Sequence, residues 1–247
     1  MDTNLLVSIV IPIKDEEGNI PILAEEIDRA FASATYTWEV IWVDDGSTDG
    51  SLRLLQQLAL DRPQHRYLTF SRNAGQSAAF TAGFRAARGR FIATVDGDGQ
   101  NDPADLPRLV ERLQAGDVDM VNGYRQKRRD SLSRKLASRL ANGFRNLTTG
   151  RTVRDVGCST RAFRKECATG LPQFKGVHRF LPTLVAMHGY RLAEVPVNHR
   201  PRVHGRTKYS INNRLWVGLM DIAGIMWLQR RGFRYQIEKD SLSDRPS

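Results

Sequence analysis

Three groups of acidic residues in the first hundred positions have the residue types and spacing to hold a cation. They are Asp15-Glu16-Glu17, then Asp44-Asp45 ahead of Gly46-Ser47, then Asp96-Gly97-Asp98-Gly99-Gln100. Each group stands after an apolar run that reads as a β-strand: residues 5–11, 39–43 and 91–95. Carboxylates brought to one edge of a sheet repel one another unless something positive joins them. A hard divalent cation holding a diphosphate meets that need, because Mg2+ or Mn2+ takes one or two carboxylates together with phosphate oxygens. The competing reading is that acidic residues merely open loops and cap helices. Three groups in register favour the cation. The common phosphate-binding loops are missing: no G-x-x-x-x-G-K-[ST] occurs, and no G-x-G-x-x-G follows the first strand.

The elements that must position these groups alternate. Helical patterns at 19–31, around Leu52–Ala59, at 76–87 and at 103–113 follow strand-like runs at 5–11, 39–43, 67–70 and 91–95, and 120–121 closes the series. Such alternation predicts an α/β domain, a mostly parallel sheet with helices on both faces. Ligands of such sheets sit beyond the carboxyl ends of the strands, where all three acidic groups fall. The second half is less regular. Residues 131–147 read as a basic amphipathic helix with Leu132, Leu136, Leu140 and Phe144 at i, i+4 spacing. Residues 191–197 read as a late strand and 211–228 as a second amphipathic helix. The expected organisation is a catalytic domain over 1–210, an interfacial helix over 211–231 and a polar tail over 232–247.

The net charge of +10, from 37 Lys and Arg against 27 Asp and Glu, calls for a polyanionic partner. Nucleic acid is disfavoured, since the basic segment 125–139 has no aromatic residue beyond Tyr124 to interleave with bases. Two cysteines, Cys158 and Cys167, are too few for a disulfide framework or a zinc site. The amino terminus lacks the basic and small-residue features of a secretion signal. The longest apolar stretch, 215–228, runs for about 14 residues where a spanning helix needs about 20.

The motifs Pro12-x-x-Asp15-Glu16, Val43-Asp44-Asp45-Gly46-Ser47-x-Asp49-Gly50 and Asp96-x-Asp98-x-Gln100 resemble, in order and spacing, family 2 glycosyltransferases of the GT-A fold, a Rossmann-like architecture. More narrowly they resemble the dolichyl- or polyprenyl-phosphate mannose synthase group, over residues 7–228. The resemblance implies that Pro12, Glu16, Asp44 and Asp96 bind the nucleotide, and that Asp96, Asp98 and Gln100 hold Mg2+ or Mn2+ with its diphosphate. Lys14-Asp15 stands where many relatives carry Tyr-Asn, which leaves a UDP- and a GDP-sugar both open. Gly123-Tyr124-Arg125 matches the family's G-x-R segment, Asp155 to Arg161 its acceptor-side segment, and Arg202-x-x-Gly205-x-Thr207-Lys208 its R-x-x-G-x-[ST]-K segment. The resemblance thus makes Asp98, Arg125, Arg202 and Lys208 catalytic, and Asp155 and Arg161 acceptor-binding. Arg and Lys at these places would neutralise the leaving diphosphate and orient an incoming phosphate.

Transfer to a sugar hydroxyl needs a general base, whereas a phosphate monoester is already anionic at neutral pH. Trp227-Leu228-Gln229-Arg230-Arg231 does not match the Q-x-x-R-W segment of polysaccharide-extending relatives. The expected reaction is therefore inverting attack by a polyprenyl phosphate on the anomeric carbon of a nucleotide-sugar. If a base is needed instead, His178 and His204 are the candidates. Arg134, Lys135 and Arg139 beside the 132–144 stripe, and Trp216, Met220 and Trp227 ahead of Arg230-Arg231, suit helices lying on an anionic membrane surface. The alternative is that these stripes pack on the core or a partner. The enzyme is expected at the cytoplasmic face, peripheral. Two other readings are transfer to a glycan or lipid hydroxyl, and a non-catalytic basic adaptor for membrane or nucleic acid.

Overall fold

A computed structural model describes residues 5–125, 153–201 and 212–231. The chain divides into two compact units, 1–209 and 210–247. The first is built on strands β1 (Leu5–Ile13), β2 (Thr37–Asp44), β3 (His65–Thr69), β4 (Phe91–Thr94), β5 (Met120–Arg125), β6 (Arg161–Arg164) and β7 (Leu192–Val197). Its helices are α1 (Ile20–Phe31), α2 (Ser51–Asp61), α3 (Gln76–Ala86), α4 (Leu106–Gln114) and α5 (Val177–Met187). The sheet order is β3-β2-β1-β4-β6-β5-β7. Every pairing is parallel except those of β6, which runs antiparallel to β4 and β5.

The apolar run of β1 is continuous because helices cover both faces of the sheet. Val7, Ile9, Ile11 and Ile13 point into one core layer with α1, α2 and α4, while Val10 points into the other with α3 and α5. Ile20, Leu23, Ala24, Ile27 and Phe31 form the buried stripe of α1, at the spacing of one helix face. Ser8 is the exception within β1. Its hydroxyl donates to Glu39 Oε1 at 2.6 Å and accepts from the Gly89 N–H at 2.9 Å, so the buried polar group is satisfied.

Register fixes the site. Ile13 pairs with Asp44 and Val10 with Thr94, so β1, β2 and β4 end at one edge. The reversed direction of β6 sets Arg161 opposite both Thr94 and Asn122, which brings the chain just before β6 to that same edge. Strand β6 and helix α5 have no counterpart in the elements expected from sequence. The second unit carries α6 (Asn212–Arg231), a helix where one was expected. Over its whole length the apolar residues of α6 are spread around the helix rather than gathered on one face, so the amphipathic character expected of it is not shown. No helix among the described residues is long and apolar enough to cross a membrane. Residues 131–147 lie outside the described residues.

Candidate active site

The loops after β1 and β2 are laced together by their own acidic side chains. The Asp15 N–H donates to Ser47 Oγ at 2.9 Å, and Asp15 Oδ1 accepts from the Thr48 N–H at 2.7 Å. Glu17 Oε2 accepts from the Gly50 N–H at 2.7 Å, while the Glu16 N–H donates to Ser51 Oγ at 3.0 Å. Glu16 Oε2 in turn accepts from Asn19 Nδ2 at 2.6 Å, and Pro12 lies half-buried at the end of β1, paired with Val43. Asp44, 1% exposed, accepts from the Ser47 N–H at 3.0 Å and from Thr69 Oγ1 at 2.9 Å. Asp45 accepts from the Ala74 and Gly75 N–H groups at 2.6 and 2.9 Å, pinning the start of α3. Convergence of all three acidic groups on one cation is thereby corrected. The first two groups engage N–H and O–H donors of neighbouring loops, and no set of three or more His, Cys, Asp or Glu among the described residues could hold a metal.

The third group is different. An added Cβ at Gly97 would lie 2.4 Å from Ile13 Cδ1 and 2.8 Å from the Pro12 carbonyl, so only glycine lets this loop press on the end of β1. Asp96 is held on both oxygens, Oδ1 by Gln76 Nε2 at 2.8 Å and Oδ2 by Ser159 Oγ at 2.6 Å. Ser159 is fixed through its carbonyl, which accepts from Thr94 Oγ1 at 2.5 Å. Burial, and then the charge of Asp98, pushes the Asp96 carboxyl up to about 6, against the Ser159 hydrogen bond and the charges of Arg161 and Arg125. A buried carboxylate whose charge is opposed by a neighbouring one, at the carboxyl edge of the sheet, suits a divalent cation that takes its other ligands from phosphate. Gln100 adjoins them: its N–H donates to Asp98 Oδ1 at 3.1 Å, and its carbonyl accepts from the Arg200 N–H at 2.8 Å. The Arg200 guanidinium reaches Glu26 at 2.6 Å, anchoring the loop to α1.

Beneath the carboxylates lies a buried cationic layer. Arg125 makes a two-pronged pair with Asp155, Nε to Oδ2 at 2.6 Å and Nη2 to Oδ1 at 2.9 Å. Arg161 donates to Asn122 Oδ1, the His178 carbonyl and the Val156 carbonyl at 2.9, 2.6 and 2.7 Å. Asp155 and Arg161, expected to face the acceptor, are instead 5% and 4% exposed and hold the floor together. Burial brings Arg161 down to about 10, so it stays cationic at neutral pH. His178 Nδ1 bonds Ser77 Oγ at 2.8 Å, and that oxygen accepts from the Gly176 N–H at 2.8 Å. Burial, then Arg161 and Arg179, pushes His178 down to about 3, too weak for a general base near neutrality.

The structure thus brings Asp96, Asp98, Gln100, Arg125, Asp155 and Arg161 into one assembly, with Pro12 and Asp44 at the ends of the adjoining strands and Glu16 on the loop after β1. Arg202, His204 and Lys208 lie outside the described residues. Gln76 and Ser159 escaped the sequence reading, since a neutral side chain 20 or 63 positions from Asp96 gives no local signal.

The family model for glycosyl transferase family 2 matches residues 8–169. The dodecaprenyl-phosphate galacturonate synthase of Rhizobium johnstonii is 38% identical over 231 residues, 92% of this chain and 68% of that protein. The undecaprenyl-phosphate 4-deoxy-4-formamido-L-arabinose transferase of Klebsiella pneumoniae is 38% identical over 205 residues, 83% of this chain and 62% of that protein. The chain therefore spans about two thirds of the length of these curated relatives. Among solved structures, glucosyl-3-phosphoglycerate synthase from Mycobacterium tuberculosis in complex with Mg2+ and uridine diphosphate superposes with a TM-score of 0.67. That match has 20% identity and covers 93% of this chain and 80% of the other, a likeness of fold.

Proposed function

The chain belongs to glycosyl transferase family 2, and we propose that it transfers a sugar from a nucleotide-sugar to a polyprenyl phosphate, with inversion at the anomeric carbon. The observation that carries this reading is the Asp96–Asp98 pair, clamped at the carboxyl edge of the sheet above a buried cationic layer. The names of both relatives, which pair a sugar with a polyprenyl phosphate, support the acceptor. Asp96, Asp98 and Gln100 would hold a divalent cation, Mg2+ or Mn2+. When bound, such a cation neutralises charge on the diphosphate.

The remaining chemistry belongs to the chain and its substrates. An oxygen of the acceptor phosphate attacks the anomeric carbon from the face opposite the diphosphate. The new C–O bond forms as the old one breaks, and the nucleoside diphosphate departs with the electron pair. The acceptor is already anionic, so no side chain needs to remove a proton, consistent with His178 being bonded to Ser77 and weakly basic. Pro12, Glu16 and Asp44 line the nucleotide side, and Arg125, Arg202 and Lys208 supply positive charge to the phosphates. A UDP- or GDP-sugar fits this assignment.

The place of action is an anionic membrane surface at the cytoplasmic face. Met220 and Trp227, 72% and 62% exposed, stand two turns apart on one side of α6, which ends in Arg230 and Arg231. The deciding experiment incubates the purified chain with undecaprenyl phosphate, Mn2+ or Mg2+, and labelled UDP- and GDP-sugars, then counts chloroform-extractable label. Metal-dependent label in the lipid phase is expected. Nucleotide release without lipid label would refute the acceptor assignment and favour transfer to a hydroxyl.

A further inference from the structure

Two adjoining cavities, of about 390 and 310 Å3, run along the outer face of α3 and share Thr81, Arg85 and Gln173. No carboxylate lines either cavity, but one end of the cleft adjoins the residue that holds Asp96. Ser77 lines one cavity and His178 the other, and their hydrogen bond ties the first turn of α3 to the first turn of α5. Gln76, the residue before Ser77, holds Asp96. From Ser77 to Arg85 the helix carries the cleft about 12 Å away from the site, at 1.5 Å per residue.

The lining has a definite chemistry. A ribbon of rings runs down it, with His178 and Phe80 centred 6.0 Å apart, then Phe80 and Phe84 5.7 Å apart. Leu171, Pro172 and Leu181 complete the apolar walls. Every formally charged residue on the lining is a cation: Arg85, Lys165 and Lys175. An apolar slot rimmed by cations, with one end adjoining a glycosyl-transfer site, matches an amphiphile with an anionic head and a hydrocarbon tail.

We propose that the α3–α5 cleft receives the first isoprene units of the lipid acceptor, with the lipid phosphate at the Asp96–Asp98 end. This assignment rests on the acceptor being a polyprenyl phosphate. The phosphate then lies at the carboxylate edge, and the chain follows the Phe80–Phe84 ribbon towards Arg85 and Lys165, where anionic headgroups would meet the rim.

The test uses the full chain and isoprenyl phosphates of 5, 10, 15 and 55 carbons. For the wild type, kcat/KM should rise with chain length to about the 15-carbon acceptor and then level off, where the roughly 12 Å cleft is filled. Thr81→Trp, which fills the middle of the cleft, should lower kcat/KM for farnesyl phosphate at least tenfold and flatten the dependence on length, with the thermal midpoint unchanged. Leu171→Asp on the facing wall should act likewise. A benzophenone-bearing farnesyl phosphate should label peptides spanning 76–86 and 169–181, and that readout requires no turnover. Full activity of both variants on the long acceptors, or label confined to other peptides, overturns the cleft assignment while leaving the transfer reaction intact. Absence of lipid product from the wild type with every donor would instead overturn the reaction.

Discussion

Replacing Arg161 with methionine separates a residue that touches the acceptor from one that holds the floor of the site. Methionine keeps much of the buried volume and removes three donors at once. The orphaned acceptors would be Asn122 Oδ1, the His178 carbonyl and the Val156 carbonyl, now bonded at 2.9, 2.6 and 2.7 Å. An unsatisfied buried acceptor costs about 1–3 kcal/mol. Partial relaxation leaves an expected loss of about 3–5 kcal/mol, as for one partner removed from a buried charged network. Set against a total stability of about 5–15 kcal/mol, that is a large fraction. With a urea slope of about 3 kcal/mol per molar, the upper end of the usual range as suits a chain this long, the unfolding midpoint should fall by on the order of 1–2 M. Arg161→Lys should fall between the two, because one ammonium cannot span three acceptors that a planar fork reaches. It also provides the measurement should the methionine variant fail to fold. The assay is urea unfolding followed by tryptophan fluorescence, beside acceptor KM for the folded variants. An unchanged midpoint with a raised acceptor KM would refute the structural role and return Arg161 to the acceptor surface.

Asp98→Ala should abolish metal-dependent transfer without altering the thermal midpoint; near-normal turnover would remove Asp98 from the cation site. Ser159→Ala takes away the 2.6 Å bond to Asp96 Oδ2 and should weaken Mn2+ binding, read by calorimetry with UDP or GDP present, by about 10–100-fold. Undiminished Mn2+ affinity would show that Asp96 does not need its clamp. For His178, the folded pKa of about 3 lies below the unfolded value of 6.5, so only the unfolded chain takes up this proton as pH falls through 6.5. Stability from this group is therefore full above pH 6.5 and declines towards pH 3, by at most about 1.4 kcal/mol per pH unit; His178→Gln should flatten urea midpoints between pH 6.5 and 5 relative to wild type.

The parallel frame was legible because its signals are local. Strands β1, β2 and β4 are apolar runs, α1 and α4 have apolar residues at helical spacing, and each acidic group follows directly on a strand. Strand β6 was hidden because Arg161-Ala162-Phe163-Arg164 opens and closes on a charge. Those ends belong to buried and half-buried ion and hydrogen-bond networks rather than to solvent, with Arg161 bonded to Asn122 and Arg164 paired with Asp119. Without β6, nothing in the sequence predicts that Ser159 reaches Asp96, or that Arg161 points inward. The acceptor-side motif was found, and the direction of its side chains was not, because direction depends on the strand's antiparallel insertion between β4 and β5.

Acidic residues at a sheet edge are distinguished by who answers them. Asp15, Glu17 and Asp45 meet N–H donors of neighbouring loops and Asp44 meets the Thr69 hydroxyl at the end of β3, so their negative charge serves to join the ends of β1, β2 and β3 into one rim. Asp96 also has partners on both oxygens, yet its carboxyl is still driven up to about 6 by burial and by Asp98. The two neutral donors fix its direction without removing the electrostatic conflict with its neighbour. A carboxylate held in place but left in conflict is one prepared for a positive ligand. Asp45 contributes to that preparation from a distance. By receiving the Ala74 and Gly75 N–H groups it fixes the start of α3, from which Gln76 reaches Asp96. The two acidic motifs are thus mechanically joined through the first turn of one helix, and a shift of either would be felt at the other.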